Sequence, residues 1–195
     1  MTLRMGDSGQ LVAILQNHFN RKRSRLTGVE VGVHRGATSA ALLRAFPQLF
    51  LVMVDPWSTY ETSHPYRKSG DGCASFTAKE QLANMIEAMN ATDFAFSRRS
   101  ICATPSVEAA KIQAELGRRF DFAFIDGDHT YEAVKADIAA WWSLVDSGGL
   151  LAGHDIDHPR DVRGVWGVRR AVEEHAAATG LTFDVDGSCW WFVKG

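Results

Sequence analysis

Cysteine is scarce in this chain: three in 195 residues, Cys73, Cys102 and Cys189, widely spaced and odd in number. That argues against a disulfide framework or a paired-cysteine zinc site and fits reduced thiols in the cytoplasm. Long hydrophobic runs are missing too. No apolar stretch approaches the roughly 20 residues of a membrane span, and residues 1–10 lack the hydrophobic segment of a signal peptide. Nor is there an excess of one charge. Lys and Arg number 21 against 23 Asp and Glu, a formal net charge of -2, so no global field calls for nucleic acid or an anionic membrane. The local basic clusters (Arg21-Lys22-Arg23-Ser24-Arg25, Arg98-Arg99, Arg169-Arg170) read as solvated helix ends and faces. What remains, 46% apolar and 23% charged without repeats or low-complexity tracts, is an ordinary soluble domain. One domain over residues 1–195 is expected, with an N-terminal helix and basic linker in 1–25 and the core in 26–195.

The pattern within that core alternates. Leu11, Ile14, Leu15, His18 and Phe19 recur at helical spacing. Residues 26–31 read as a first strand, 38–46 as a helix stopped by Pro47, and 49–54 as a second buried strand ending at Asp55. Residues 56–76 form a long polar loop with Trp57, Tyr60, His64, Tyr66 and Gly70-Asp71-Gly72, of the kind that commonly serves as a functional lid. Leu82, Met85, Ile86 and Met89 mark a helix and residues 93–96 a short strand. Thr104-Pro105 opens a helix that closes at Gly117. After the strand at 120–125, a helix carries Val134, Ile138, Trp141 and Val145, and Gly148-Gly149 ends it before the strand at 149–155. A last helix (Val168, Ala171, Val172) precedes a hairpin of residues 181–186 and 189–193. This order predicts an α/β fold: a doubly wound, mostly parallel, seven-stranded Rossmann-like sheet with an antiparallel C-terminal hairpin.

Two strands end in metal-ligand chemistry. The run Phe120-Asp-Phe-Ala-Phe-Ile stops abruptly at Asp126-Gly127-Asp128-His129, and the strand at 149–155 stops at His154-Asp155. His129 lies three residues beyond Asp126, so a candidate base stands beside a candidate metal ligand. Asp128 reads as a cap for the helix that begins near Thr130. At the other end of the sheet's working edge, Gly32 and Gly36 follow the first strand and permit a tight turn close to a ligand. This is neither Gly-x-Gly-x-x-Gly nor a phosphate-binding loop. Asp55, about twenty residues on, stands where an acid accepts both hydroxyls of a ribose; the bland alternative is a loop or cap residue ahead of Pro56. Trp141 and Trp142 read as core and edge aromatics, and Trp190 and Trp191 alternate on a strand, one toward the core and one toward an interface or the outside. That aromatic hairpin is compatible with a homodimer.

Together, Val-Glu-Val-Gly-Val-x-x-Gly (29–36), Val-Asp-Pro-Trp (54–57), Phe-Ile-Asp-Gly-Asp-His-Thr-Tyr-Glu (124–132) and Gly-Gly-Leu-Leu-Ala-Gly-His-Asp (148–155) resemble class I S-adenosylmethionine-dependent methyltransferases. The similarity is greatest to the small metal-dependent O-methyltransferases related to macrocin O-methyltransferase and, at more distance, to catechol O-methyltransferase. It runs from about Leu26 to the C-terminus with the motifs in family order.

The resemblance implies that Glu30 and the Gly32-Val33-x-x-Gly36 turn hold the amino acid part of S-adenosylmethionine. It implies that Asp55 binds the ribose, that Trp57 flanks that end of the pocket, and that Arg99 and Ser100, after the third strand, contact adenine. The Gly-x-x-x-Gly turn, which includes Val33, lacks the middle glycine of the commoner Gly-x-Gly-x-Gly form. Asp126 sits by the cofactor and, with His154 and Asp155, holds a divalent cation; His129 is the general base. Magnesium is the first choice, and an imidazole ligand also suits manganese or another transition metal. His154 has the alternative of facing substrate. Asp157, His158 and Arg160 lie in the following loop, with two readings open: contacts to substrate or metal, or ordinary loop residues. The expected activity is methyl transfer to a hydroxyl of a small molecule, such as a sugar or glycosylated natural product, without nucleic acid or membrane. The alternatives are a non-catalytic S-adenosylmethionine-binding module and a nicotinamide-dependent oxidoreductase.

Overall fold

The computed structural model describes residues 7–19, 24–162 and 164–195. The first six residues and Arg21, Lys22 and Arg23 of the basic run lie outside the described residues. Helix α1 (Asp7–His18) leads into β1 (Leu26–Val31), α2 (Ala37–Ala45) and β2 (Leu49–Val54). The long loop that follows holds a single helical turn, α3 (Pro65–Lys68), and a 3-10 turn at Cys73–Ser75. Next come α4 (Ala78–Ala91), β3 (Arg99–Cys102), α5 (Ser106–Glu115), β4 (Phe120–Ile125), α6 (Tyr131–Trp142) and β5 (Val145–Gly153). A short α7 (Pro159–Val162), α8 (Val168–Thr179), β6 (Asp184–Asp186) and β7 (Cys189–Val193) complete the chain.

The strands lie in the order β3-β2-β1-β4-β5-β7-β6, parallel from β3 through β5 and antiparallel at β7 and β6. Strands covered on both faces are apolar at nearly every position, and β4 is buried at all six. One face packs under α5, α6 and α8 through Ala109, Ile138, Trp141 and Val172. The other packs under α1, α2 and α4 through Leu11, Leu15, Leu42 and Ala88. The order reverses between β1 and β4, and a crevice opens at such a reversal beyond the strands' carboxyl ends.

Four local expectations are corrected. Residues 93–96 are not a strand: Asp93–Arg98 is a 3-10 helix, and β3 begins at Arg99. The alternating Phe94 and Phe96 suggested a half-buried strand, but their side chains are 51% and 74% exposed. Val145 belongs to β5 rather than to the helix before it, and Gly148-Gly149 lies within that strand, where the pairing with β4 slips between Phe120 and Phe122. The first hairpin strand is only Asp184–Asp186. Finally, the hairpin is not a free aromatic surface. β7 lies inside the sheet, Trp190 is fully buried on one face, and Trp191 packs against the cluster on the other.

Candidate active site

The crevice is built by hydrogen bonds that continue the sheet one residue past its strands. Gly32 N–H donates to Val54 O (2.9 Å), Asp55 N–H to Cys102 O (3.2 Å), Asp126 N–H to Val31 O (2.8 Å) and His154 N–H to Ile125 O (3.2 Å). Each strand-end residue is therefore fixed by its neighbour's last carbonyl, and their side chains converge without depending on loop order. The cleft beside them has a volume of about 430 Å³ and is walled by Gly32, Asp55, Tyr60, Asp126, His129 and Asp137 among others. That is an ordinary size for a cofactor site.

At the glycine turn the backbone does what only glycine permits. Gly32 has φ +88°, and a Cβ there would sit 2.0 Å from Asp126 O, so β1 and β4 can leave the sheet side by side only if this residue is bare. Gly36 (φ +77°) opens α2, and its missing Cβ lets Ala88 of α4 approach. Asp55 pins the same turn. Its two oxygens accept from His34 N–H (2.9 Å) and Trp57 N–H (2.8 Å), and burial pushes its carboxyl above the usual carboxylate value while those amides hold it back.

The structure brings Gly32, Asp55 and Asp126 to the cleft wall and leaves other expected cofactor residues behind it. Glu30 is 1% exposed and accepts a hydrogen bond from Ser39 Oγ of α2; burial, with Asp126 and Asp55 nearby, pushes its carboxyl up to about 8. Val33 turns into the core beneath α2. Trp57 is buried, and its indole N–H donates to His34 O (2.8 Å), so it braces the turn from behind rather than forming the wall. Arg99 and Ser100 are not beyond the third strand but open it, opposite Leu51 and Val52. The Arg99 guanidinium is taken up by Thr92 Oγ1 (2.7 Å) and Asp93 (3.8 Å). Pro105, Ser106 and Val107, beyond the end of that strand, line the cleft, and Arg99 and Ser100 do not.

The strand-end acids gather around one imidazole. His129 lies 3.4 Å from Asp126 Oδ1, 3.1 Å from Asp155 Oδ2 and 3.1 Å from Asp71 Oδ2. Burial by itself would lower its pKa, yet the three carboxylates hold it well above the ordinary imidazole value. The effect is reciprocal. Asp71 is held down to about 2 by His129, the Cys73 amide and the Tyr66 hydroxyl against the opposing effect of burial. Asp155 is likewise held well below the carboxylate range, against burial, by His129 and His154. It sits at φ +64°, a left-handed conformation that Asp tolerates better than most residues.

Asp126, His154 and Asp155 place one donor atom each within 4.8 Å of one another. Two carboxylates and an imidazole at that spacing fit a divalent cation after a small closure, since donors about 2.1 Å from a metal lie roughly 3–4 Å apart. Asp128 Oδ1 accepts from Thr130 N–H (2.8 Å), a turn just ahead of α6; the N-cap is Thr130, without a side-chain cap, so Asp128 is not the helix cap expected of it.

Two functional neighbours were not picked out in the sequence. Asp71 comes from the long loop, anchored by Tyr66 OH (2.9 Å) and Cys73 N–H (2.9 Å); the loop's length was the available signal, but nothing local distinguished this acid from Asp128. Trp166 stacks on His129 (centroids 4.1 Å apart, planes 12°), and His158 stacks on the indole's other side (4.2 Å, 15°). No sequence pattern marks a single tryptophan in a loop. Asp157 pairs with Arg169, and the Arg160 guanidinium lies over Trp166 at 5.5 Å, so both serve this loop's own packing.

A family model described as a methyltransferase domain matches residues 29–156, more than half of the chain. The chain belongs to that methyltransferase family. No curated protein matches it in sequence. Among solved structures, the calicheamicin methyltransferase CalS11 superposes with a TM-score of 0.65 at 17% identity, over 96% of this chain and 79% of that one. The O-methyltransferase TomG from Streptomyces achromogenes, solved with S-adenosylmethionine, gives 0.64 at 18%, over 100% and 82%. MycE from the mycinamycin pathway, solved with Mg, S-adenosylhomocysteine and mycinamycin VI, gives 0.59 at 14%, over 96% and 49%. The methyltransferase therefore has the fold of S-adenosylmethionine-dependent O-methyltransferases. No helix among its described residues is long and apolar enough to cross a membrane.

Proposed function

We propose that this methyltransferase moves the methyl group of S-adenosylmethionine to a hydroxyl of a small molecule, with a divalent cation at Asp126, His154 and Asp155 and His129 as the proton acceptor. The observation that carries the reading is the convergence of Asp126 and His129, both on the cleft wall, with Asp155 against the same imidazole. Asp55 has carboxylate lone pairs left for a ribose after its two amide contacts. Among the fold neighbours, CalS11 is a TDP-rhamnose 3'-O-methyltransferase and MycE was solved with mycinamycin VI, which favours a sugar or glycosylated natural product as acceptor.

S-adenosylmethionine supplies an electrophilic methyl group on a sulfonium, so the protein's task is alignment and proton removal. The cation supplies Lewis acidity that lowers the pKa of an acceptor hydroxyl. His129 is a proton acceptor only when the charge of Asp126 and Asp155 is drawn away from its ring; surrounded by three free carboxylates it keeps its proton. Asp71 and Trp166 fix the ring from the side and the face, so that Nε2 is directed toward the Asp126 and Asp155 carboxylates.

The test is calorimetric titration with S-adenosylhomocysteine, with and without Mg²⁺, followed by methyl-transfer assays on hydroxylated acceptors. Wild type is expected to bind, and Asp55→Ala to bind at least 10-fold more weakly. Asp155→Asn, which preserves the left-handed backbone, is expected to keep that affinity while losing metal-stimulated turnover. Failure to bind S-adenosylhomocysteine would end the proposal, and full turnover in excess chelator would remove the metal from it.

A further inference from the structure

We propose that Asp137 of α6 recognises the adenine of the cofactor, its carboxyl accepting a hydrogen bond from the exocyclic amine. The inference rests on S-adenosylmethionine being the cofactor and on Asp55 holding its ribose. It assigns a helix residue to the base in place of Arg99 and Ser100, which open β3 and stay behind the cleft.

The sheet order places the two ends of the cofactor. β4 and β5, which carry Asp126 and Asp155, lie on one side of β1; β2 and β3 lie on the other. The sulfonium belongs with the first pair, where the methyl group is used. Adenine hangs from the opposite side of the ribose, so beyond Asp55 it runs toward the segment that follows β3. That part of the wall is made by Pro105, Ser106 and Val107 at the start of α5 and by Ala133, Ala136 and Asp137 of α6. Pro105, Val107 and Ala136 are exposed and apolar, whereas Asp137, only 5% exposed, lies deepest. Two helices thus offer apolar sides with a carboxyl between them. A flat base fits that arrangement, with its faces against the sides and a polar edge on the acid.

The carboxyl has capacity to spare. The Ser106 hydroxyl donates to it, and the same oxygen accepts from the Trp141 indole N–H (2.9 Å), which leaves Ser106 no second proton to give. Burial pushes the Asp137 carboxyl up to about 7; Ser106 opposes this, and the one charge acting on it, Asp128, has its own sign and adds to it. With Asp128 and Asp55 it also acts on the Tyr60 hydroxyl, as carboxyls facing one cleft do. A buried acid with one hydrogen-bond donor and no cation is stabilised by a further N–H. The amine of adenine supplies it. Asp128 is the poorer candidate, because its Oδ1 already accepts from Thr130 N–H (2.8 Å).

The experiment is calorimetric titration of the full chain at pH 8, where Asp137 is ionised, with two ligands. One is S-adenosylhomocysteine; the other is its analogue with hydrogen in place of the 6-amino group. Wild type is expected to bind the analogue at least 10-fold more weakly, since a site built to pair with an N–H rejects a ligand that lacks it. Asp137→Ala is expected to weaken S-adenosylhomocysteine about 10-fold and leave the analogue within twofold of its wild-type affinity. The isosteric Asp137→Asn, which keeps the volume and removes the charged acceptor, is expected to lower the ratio of the two dissociation constants at least threefold. Circular dichroism confirms the fold of each variant. A wild-type ratio near one, equal weakening of both ligands in Asp137→Ala, or an unchanged ratio in both variants would each overturn the proposal and leave the cofactor reading intact. A wild type that binds neither ligand would overturn the cofactor reading as well.

Discussion

At the scale of single residues, the site is a set of conflicts between burial and charge that neighbouring groups resolve. Three carboxylates lie within hydrogen-bonding reach of one imidazole; they raise the pKa of His129, and it in turn lowers those of Asp71 and Asp155. Asp71 is the member that does not belong to a strand end, and its partners Tyr66 and Cys73 come from its own loop. Its role is to orient His129, so Asp71→Ala is expected to cut methyl transfer by about 10- to 100-fold, the usual cost of removing an orienting carboxylate. S-adenosylhomocysteine affinity should change by less than about twofold. Steady-state rates beside a calorimetric titration would check this, and equal losses in both would make Asp71 a folding residue instead.

At the scale of elements, helices are placed by what their neighbours leave out. Gly36 begins α2 with φ +77° and lets α4 approach until a Cβ would lie 2.9 Å from Ala88 Cα. The obstruction is backbone, which cannot rotate away. Gly36→Ala should therefore destabilise the fold by about 1–3 kcal/mol, from the left-handed strain and from the displaced helix together. Urea unfolding followed by circular dichroism would measure it; a change below about 0.5 kcal/mol would show that the two helices are loosely coupled. Helix α4 carries its own start signal, a capping box in which Thr77 and Glu80 satisfy each other's backbone amides.

At the scale of the whole molecule, buried acids set a pH dependence. Glu30 is pushed up to about 8, by burial first and by Asp126 and Asp55 after it. Asp137 is pushed up to about 7, again by burial, with Ser106 opposing and Asp128 adding. Unfolded, both titrate near 4. Between about pH 4 and 8 the folded state therefore binds more protons than the unfolded one, and stability falls as pH rises through that window. Glu30→Gln is expected to flatten its part of the decline, so that the variant gains on wild type from pH 6 to 8.5. Thermal melts across that range give the comparison, and parallel wild-type and variant curves would contradict the assignment.

The sequence alone determined the order of elements and the acids at the strand ends. Strands buried on both faces must be apolar, and a carboxylate after such a run marks where the strand leaves the core. Asp55, Asp126, His154 and Asp155 were legible for that reason. Residues 93–96 and Val145 were misplaced because exposed aromatics and a short apolar segment satisfy two periodicities at once. What only the tertiary structure decided is which side chains at the working edge face the cleft. Glu30 and Val33 lie within a few residues of the glycine turn and Trp57 two past Asp55, yet all three are buried, whereas Asp71 and Trp166 reach His129 from 58 and 37 positions away in sequence. Local pattern records burial and spacing along the chain; the direction of a side chain beyond a turn depends on contacts between segments that the pattern does not encode.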